Sequence, residues 1–138
     1  MSTIKAANLQ NTGSGAPTVK NSSGTEIGQF CRAWVNFNGG RGGSVSIRDS
    51  FNVSSITDNN TGDYTVNFTN NMPNANYCVT TAQGDGSTAS EIPYLLNLTT
   101  GGYDETHSAT TSGIRVHSQT YAGGAYDAAH NYVAIFAD

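Results

Sequence analysis

Charge is what this chain has least of. Asp, Glu, Lys and Arg make up 12% of its 138 residues, and the net charge is −4. The six Lys and Arg form no cluster. Nucleic-acid binding requires phosphate neutralisation, so no nucleic-acid partner is expected. Long apolar runs are missing too: no stretch of 18 or more apolar residues occurs, so no membrane-inserted helix is expected. The opening "MSTIKAANLQNTG" has no basic segment followed by an apolar one, which argues against a signal peptide and for folding in a cytoplasm. Only two cysteines are present, Cys31 and Cys78, and a reducing compartment favours free thiols. Five Asn-x-Ser/Thr sequons, at Asn21, Asn52, Asn59, Asn67 and Asn97, then read as by-products of an Asn/Ser/Thr-rich composition.

What remains is a neutral, polar chain with aromatic residues scattered through it. Its length suits one domain, and a chain of about 150 residues buries roughly 68–70% of its unfolded surface without staples. Residues 1–23, ending in "NTGSGAPTVKNSSG", have turn and linker chemistry and read as an extended arm. "TEIGQFCRAW" could begin one helical turn, weakened by Gly28.

From Ala33 onward the period is two. "AWVNFN" sets Trp34 and Asn36 against Val35 and Phe37. "SVSIRDSF" puts Val45 and Ile47 on one face. "DYTVNF" aligns Tyr64, Val66 and Phe68 against Thr65 and Asn67. Half-buried antiparallel strands alternate in this way. "DNNTG" at 58–62 supplies the residues that tolerate positive φ in a hairpin turn. With "VSSIT", "YCVTT", "IPYLLNLT", "GIRVHS" and "NYVAIFA", about eight strands emerge, divided by Gly/Asn-rich turns. This pattern predicts an all-β fold: an antiparallel, jelly-roll-like β-sandwich over residues 24–138 behind the N-terminal arm of residues 1–23.

"YVAIF" is apolar at nearly every position, so both of its faces seek cover. Two placements provide that cover, a central place in a sheet or a neighbouring subunit. Under the second, Tyr132, Val133, Ile135 and Phe136 form a subunit interface.

Catalytic and metal chemistry find little footing. His107, His117 and His130, with nine and twelve residues between them, fall on different elements and show no metal-ligand spacing. "DNNTGD" from Asp58 resembles the start of a calcium loop, but Thr69 stands where the closing Glu belongs, so a hairpin is the simpler reading. Asp104 and Glu105 are an adjacent carboxylate pair in a Gly-flanked loop, a poor support for glycosidase geometry. Gly84-Asp85-Gly86-Ser87 has no following lysine for phosphate. Cys78 falls within a strand with no base beside it, so packing is its default role. No enzyme, cofactor or metal is expected. The best candidates for a contact surface are Tyr94, Tyr103, Tyr121 and Tyr126, stiff amphipathic side chains among Gly, Asp and Thr. Tyr64 and Trp34, on strands, read as core.

The block "RAWVNFNG" followed by "SIRDSFNVSSITDNNTGDYTVNFTNNMPNANYCV" resembles a module of bacteriophage tail-fibre and other virion structural proteins, especially from phages of marine and cyanobacterial hosts. "STIKAANLQNTGSGAP" is similar to the short arms that precede that module. The resemblance covers roughly residues 2–12 and 32–80; "NGGRGGSV" departs from it, and nothing after residue 80 matches. It implies a non-enzymatic, homotrimeric virion protein, folded in the host cytoplasm. Residues 1–23 would meet other virion proteins, and distal loops would bind a host-surface glycan or protein. A capsid decoration or head-fibre protein is the alternative. Tyr and Trp rings suit the apolar faces of sugars, and threefold symmetry adds avidity to a weak site.

Overall fold

Strand alternation carries directly into three dimensions. The computed structural model describes residues 17–84, 93–97, 109–120 and 123–137, with the backbone alone for 93–97. Ten strands occur among them: β1 (Val19–Lys20), β2 (Glu26–Gly28), β3 (Cys31–Asn38), β4 (Ser46–Phe51), β5 (Val53–Asn60), β6 (Asp63–Phe68), β7 (Cys78–Gly84), β8 (Pro93–Asn97), β9 (Gly113–Thr120) and β10 (His130–Phe136). β1 and β2 form a small hairpin. The other eight form two four-stranded antiparallel sheets, ordered β4-β3-β10-β7 and β5-β6-β9-β8. The all-β sandwich expected from the alternation is therefore present.

The two sheets face each other through the residues that the alternation assigns inward. Ala33, Val35 and Phe37 of β3 and Val133 and Ile135 of β10 meet Tyr64, Val66 and Phe68 of β6 and Ile114 and Val116 of β9. Each large apolar side chain fully withdrawn from water contributes about 1.5–3 kcal/mol. Phe37 and Tyr64 join the layers edge to face, with centroids 5.2 Å apart. The first and last strands of the sandwich, β3 and β10, are neighbours, and β6 pairs with β9 between them in sequence. This nested pairing is that of a rolled-up hairpin.

The chain passes from one sheet to the other between β4 and β5 through a single residue. Asn52 adopts φ 55°, a left-handed conformation that Asn tolerates better than most side chains. Its Nδ2 donates to Arg32 O at 3.0 Å and its Oδ1 accepts from Asn70 N at 2.8 Å, so the corner is tied to both flanking segments.

Two expectations need correction. The stretch from Thr25 to Trp34 holds no helical turn; it forms β2 and the start of β3. The cause lies in the preceding turn, where Asn21 Oδ1 accepts from Ser23 N and Thr25 N while Gly24 takes φ 80°, which folds β2 back onto β1. That hairpin also spans the boundary drawn at residue 23, so Val19 and Lys20 are structured together with Glu26–Gly28.

Candidate functional site

Three connections meet at one end of the sandwich. They are residues 39–45 between β3 and β4, the Thr61-Gly62 turn between β5 and β6, and the described residues 123–129 before β10. The start of β8 is placed there by its register, Pro93 opposite Thr120. The three connections are pinned to one another by buried polar groups. The Tyr64 hydroxyl lies 2.8 Å from both Gly39 O and Asp127 Oδ1. Asp127 Oδ1 also accepts from Gly62 N at 2.7 Å. Ala128 O accepts from Gly39 N and from Asn131 Nδ2. Ser118 Oγ donates to Tyr126 O at 2.6 Å, and Ser118 N donates to Gly62 O. Burial, and after it the neighbouring Asp127 carboxylate, push the Tyr64 phenol far above its ordinary pKa.

Of the four tyrosines expected at a contact surface, Tyr126 lies in this end. Its backbone is held by Ser118, and the Arg41 guanidinium sits 5.5 Å from its ring centroid, so the ring is part of the packed loop end. Tyr94 is in β8, whose start belongs to the same end; its side chain, like all of Tyr103 and Tyr121, lies outside the described residues. His107, Asp104, Glu105 and the segment from Asp85 are outside them as well. His117 and His130 stand on different sheets, in β9 and β10. The Asp58–Asp63 stretch forms the end of β5, a two-residue turn and the first residue of β6, a hairpin as expected.

A second surface escapes the reading of the sequence. The strand pattern alone assigns Trp34 to the core, yet it is 36% exposed and stands on the outer face of the β4-β3-β10-β7 sheet. Phe51, its direct cross-strand partner, is 54% exposed. Tyr132 is 41% exposed, opposite Asn36 and diagonal to Trp34, with the His130 ring stacked 6.5 Å away. The three aromatic rings thus form an oblique stripe over three strands. Arg48, the extra residue of a bulge opposite Asn36 and Phe37, reaches across the same face to Ala129 O at 2.7 Å. The signal is present in "AWVNFN": the period puts Trp34 with Asn36, on the side opposite Val35 and Phe37.

The four residues expected at a subunit interface divide. Val133 and Ile135 point into the sandwich and are buried by their own chain, so they have no surface to offer a neighbour. β10 is a central strand flanked by β3 and β7, with one face on the core and the other turned outward. Tyr132 and Phe136 point outward, and Phe136 lines an open cleft of about 550 Å³ with Glu26, Ile27, Gly28 and Gln29. Cys78 is also corrected: it is exposed on this face rather than packed, opposite Phe136. Cys31 lies across Phe136 on the other side, so two strand spacings of about 4.8 Å separate the thiols, too far for a disulfide within the chain.

The outer face of the other sheet differs. Across β5, β6 and β9 it carries hydroxyls and amides: Asn67 Nδ2 donates to Ser55 Oγ and Thr57 Oγ1, and Asn59 Nδ2 to Thr65 Oγ1. Asp63 accepts from Arg115 Nε at 2.8 Å and from Arg115 Nη2 in a forked pair. This bond with Arg115, against the opposing effect of burial and with help from Asn59, holds the Asp63 carboxyl below its usual range. A depressed folded pKa means that the pair stabilises the fold above the unfolded value of about 3.9, and that this share is lost as pH falls through the folded value. Because the Arg115 side chain is 43% exposed, solvent screening holds the contribution to about 1 kcal/mol. Thermal melts should therefore show Asp63→Asn a few degrees below wild type at pH 7, with the gap closing by about pH 2. A gap of constant size would mean that the amide disturbs packing and that the charge contributes nothing.

No family model matches the chain, and neither a curated protein nor a solved structure matches it.

Proposed function

We propose that this chain is a non-enzymatic virion protein of the phage tail-fibre type. It acts as a homotrimer, meets other virion proteins through its N-terminal segment, and holds a host-surface glycan or protein at its loop end. The resemblance of residues 32–80 supplies the class. The observation that supports the role is the bracing of the loop end, where Tyr64, Asp127, Gly39 and Gly62 lock three connections to one buried cluster. A platform of this kind presents loop side chains at fixed separations and lowers the entropy lost when a ligand is bound. Adsorption by such a module is reversible and breaks no covalent bond.

Immunogold labelling of the source virions with an antibody to this chain tests the reading. Gold at the tail is the expected result. Gold distributed over the head would replace receptor binding with the capsid-decoration alternative, and unlabelled virions would overturn the virion assignment.

A further inference from the structure

The outer faces of the two sheets are chemically unequal. Among the described residues six large apolar side chains are exposed: Val19, Ile27, Phe30, Trp34, Phe51 and Tyr132. Three form the stripe on the β4-β3-β10-β7 sheet. The other three lie on the hairpin and the residues leading into β3, and Ile27 shares the cleft with Phe136. None lies on β5, β6 or β9. Exposed apolar side chains scattered singly require no partner, but a contiguous set on one face does.

Resting on the trimer reading above, we infer that the outer face of the β4-β3-β10-β7 sheet, continued by the β1–β2 hairpin, is the surface on which copies of this chain meet. Charge selects the occupant. The chain carries −4 overall, so copies repel one another in general. This face departs from that average: Lys20, Arg32 and Arg48 stand against Glu26 and Asp49, which leaves it close to neutral. A polyanion would need a large excess of positive charge here and a cationic partner a large excess of negative charge; a nearly neutral face suits another copy of itself. Size is consistent with this. Four strands about 4.8 Å apart and seven residues long at about 3.4 Å each present roughly 450 Å² in projection. With the hairpin the surface supplies more than half of the ~800 Å² per partner of a standard interface. In a closed ring each copy offers the same stripe around the axis, which leaves the loop ends pointing together along it.

The test is the solution mass of the whole chain by sedimentation equilibrium, for wild type, Trp34→Ser/Tyr132→Ser and Phe51→Lys, with circular dichroism to confirm that each retains the β fold. Phe51 is on an edge strand and more than half exposed, so the second variant keeps the experiment decisive if the first fails to fold. A wild-type mass three times that of the chain, and a mass of one chain for the folded variants, is expected. A trimeric wild type whose folded variants remain trimeric would overturn this surface while leaving the trimer reading intact. A monomeric wild type would overturn both. Saccharide binding on a glycan array that the variants lose without a change of mass would assign the stripe to a sugar and likewise overturn the inference.

Discussion

Replacing Gly62 by alanine should cost about 4 kcal/mol, enough to leave a domain of ordinary stability marginal. Two independent effects add. Gly62 holds φ 67°, where an L side chain is disfavoured by about 1–2 kcal/mol. A methyl group there would also fall inside van der Waals contact with Ser118 O and 2.7 Å from Tyr126 N, both backbone atoms fixed by their own hydrogen bonds. Neither can retreat without breaking the cluster that Gly62 joins through Asp127 and Ser118. Gly42 separates the two effects, because it shares the left-handed backbone at φ 73° but has open space around its Cβ position. Gly42→Ala should lose only about 1 kcal/mol. Urea denaturation of both variants gives the comparison, and equal losses would show that the loop end is not packed as described.

The role of Gly62 is half legible in the sequence. "DNNTG" announces a turn that needs positive φ, and the turn is there. Nothing local announces that this turn lies against Ser118 and Tyr126, because that contact arises from β6 pairing with β9, fifty residues away in the chain. The same division holds elsewhere. Alternation locates the eight strands of the sandwich, since one buried face per strand leaves a period of two. It cannot assign strands to sheets, because the crossover at Asn52 takes one residue and looks like any other short turn. Trp34 is misplaced when its apolar bulk is allowed to outweigh its position beside Asn36. Val133 and Ile135 fall at an interface only because "YVAIF" seeks cover on both faces, and it takes the sheet order to show that β3 and β7 flank it while β6 and β9 lie beneath. Tyr126 looks like a free ring in its local sequence, and the Arg41 that covers it comes from a loop eighty-five positions earlier, whose glycines allow the approach.

These long-range contacts bear on function because the described residues of the connections at this end belong to no strand that would hold them. Gly39, Gly62 and Asp127 belong to different connections and Ser118 to the end of β9, and each is bonded to at least one of the others or to Tyr64. Loosening any of them should degrade binding at this end before it unfolds the sheets, since the sheets close on a separate apolar core.

Tyr64→Phe is the sharpest test of that arrangement. The ring that packs against Phe37 is retained and only the hydroxyl is removed, so the apolar core is unchanged. What is lost is the buried link between Gly39 O and Asp127 Oδ1. Unmet buried polar groups cost about 1–3 kcal/mol each, and more when charged, so a loss of about 3 kcal/mol in urea denaturation is expected. The pH dependence gives a second readout. A phenol whose folded pKa is raised stabilises the fold fully below its unfolded value of about 10, and that share is lost as pH rises through the folded value. Tyr77, pushed by burial up to about 12 and bonded to Gly113 O at 3.0 Å, behaves in the same sense at the opposite end of the sandwich. Wild type should therefore lose stability above about pH 10 from both tyrosines, whereas Tyr64→Phe should show a shallower alkaline limb from Tyr77 alone. If the variant kept the wild-type stability at pH 7 and the same alkaline limb, the Tyr64 hydroxyl would not be the pin of the loop end, and the rigid-platform reading would lose its support.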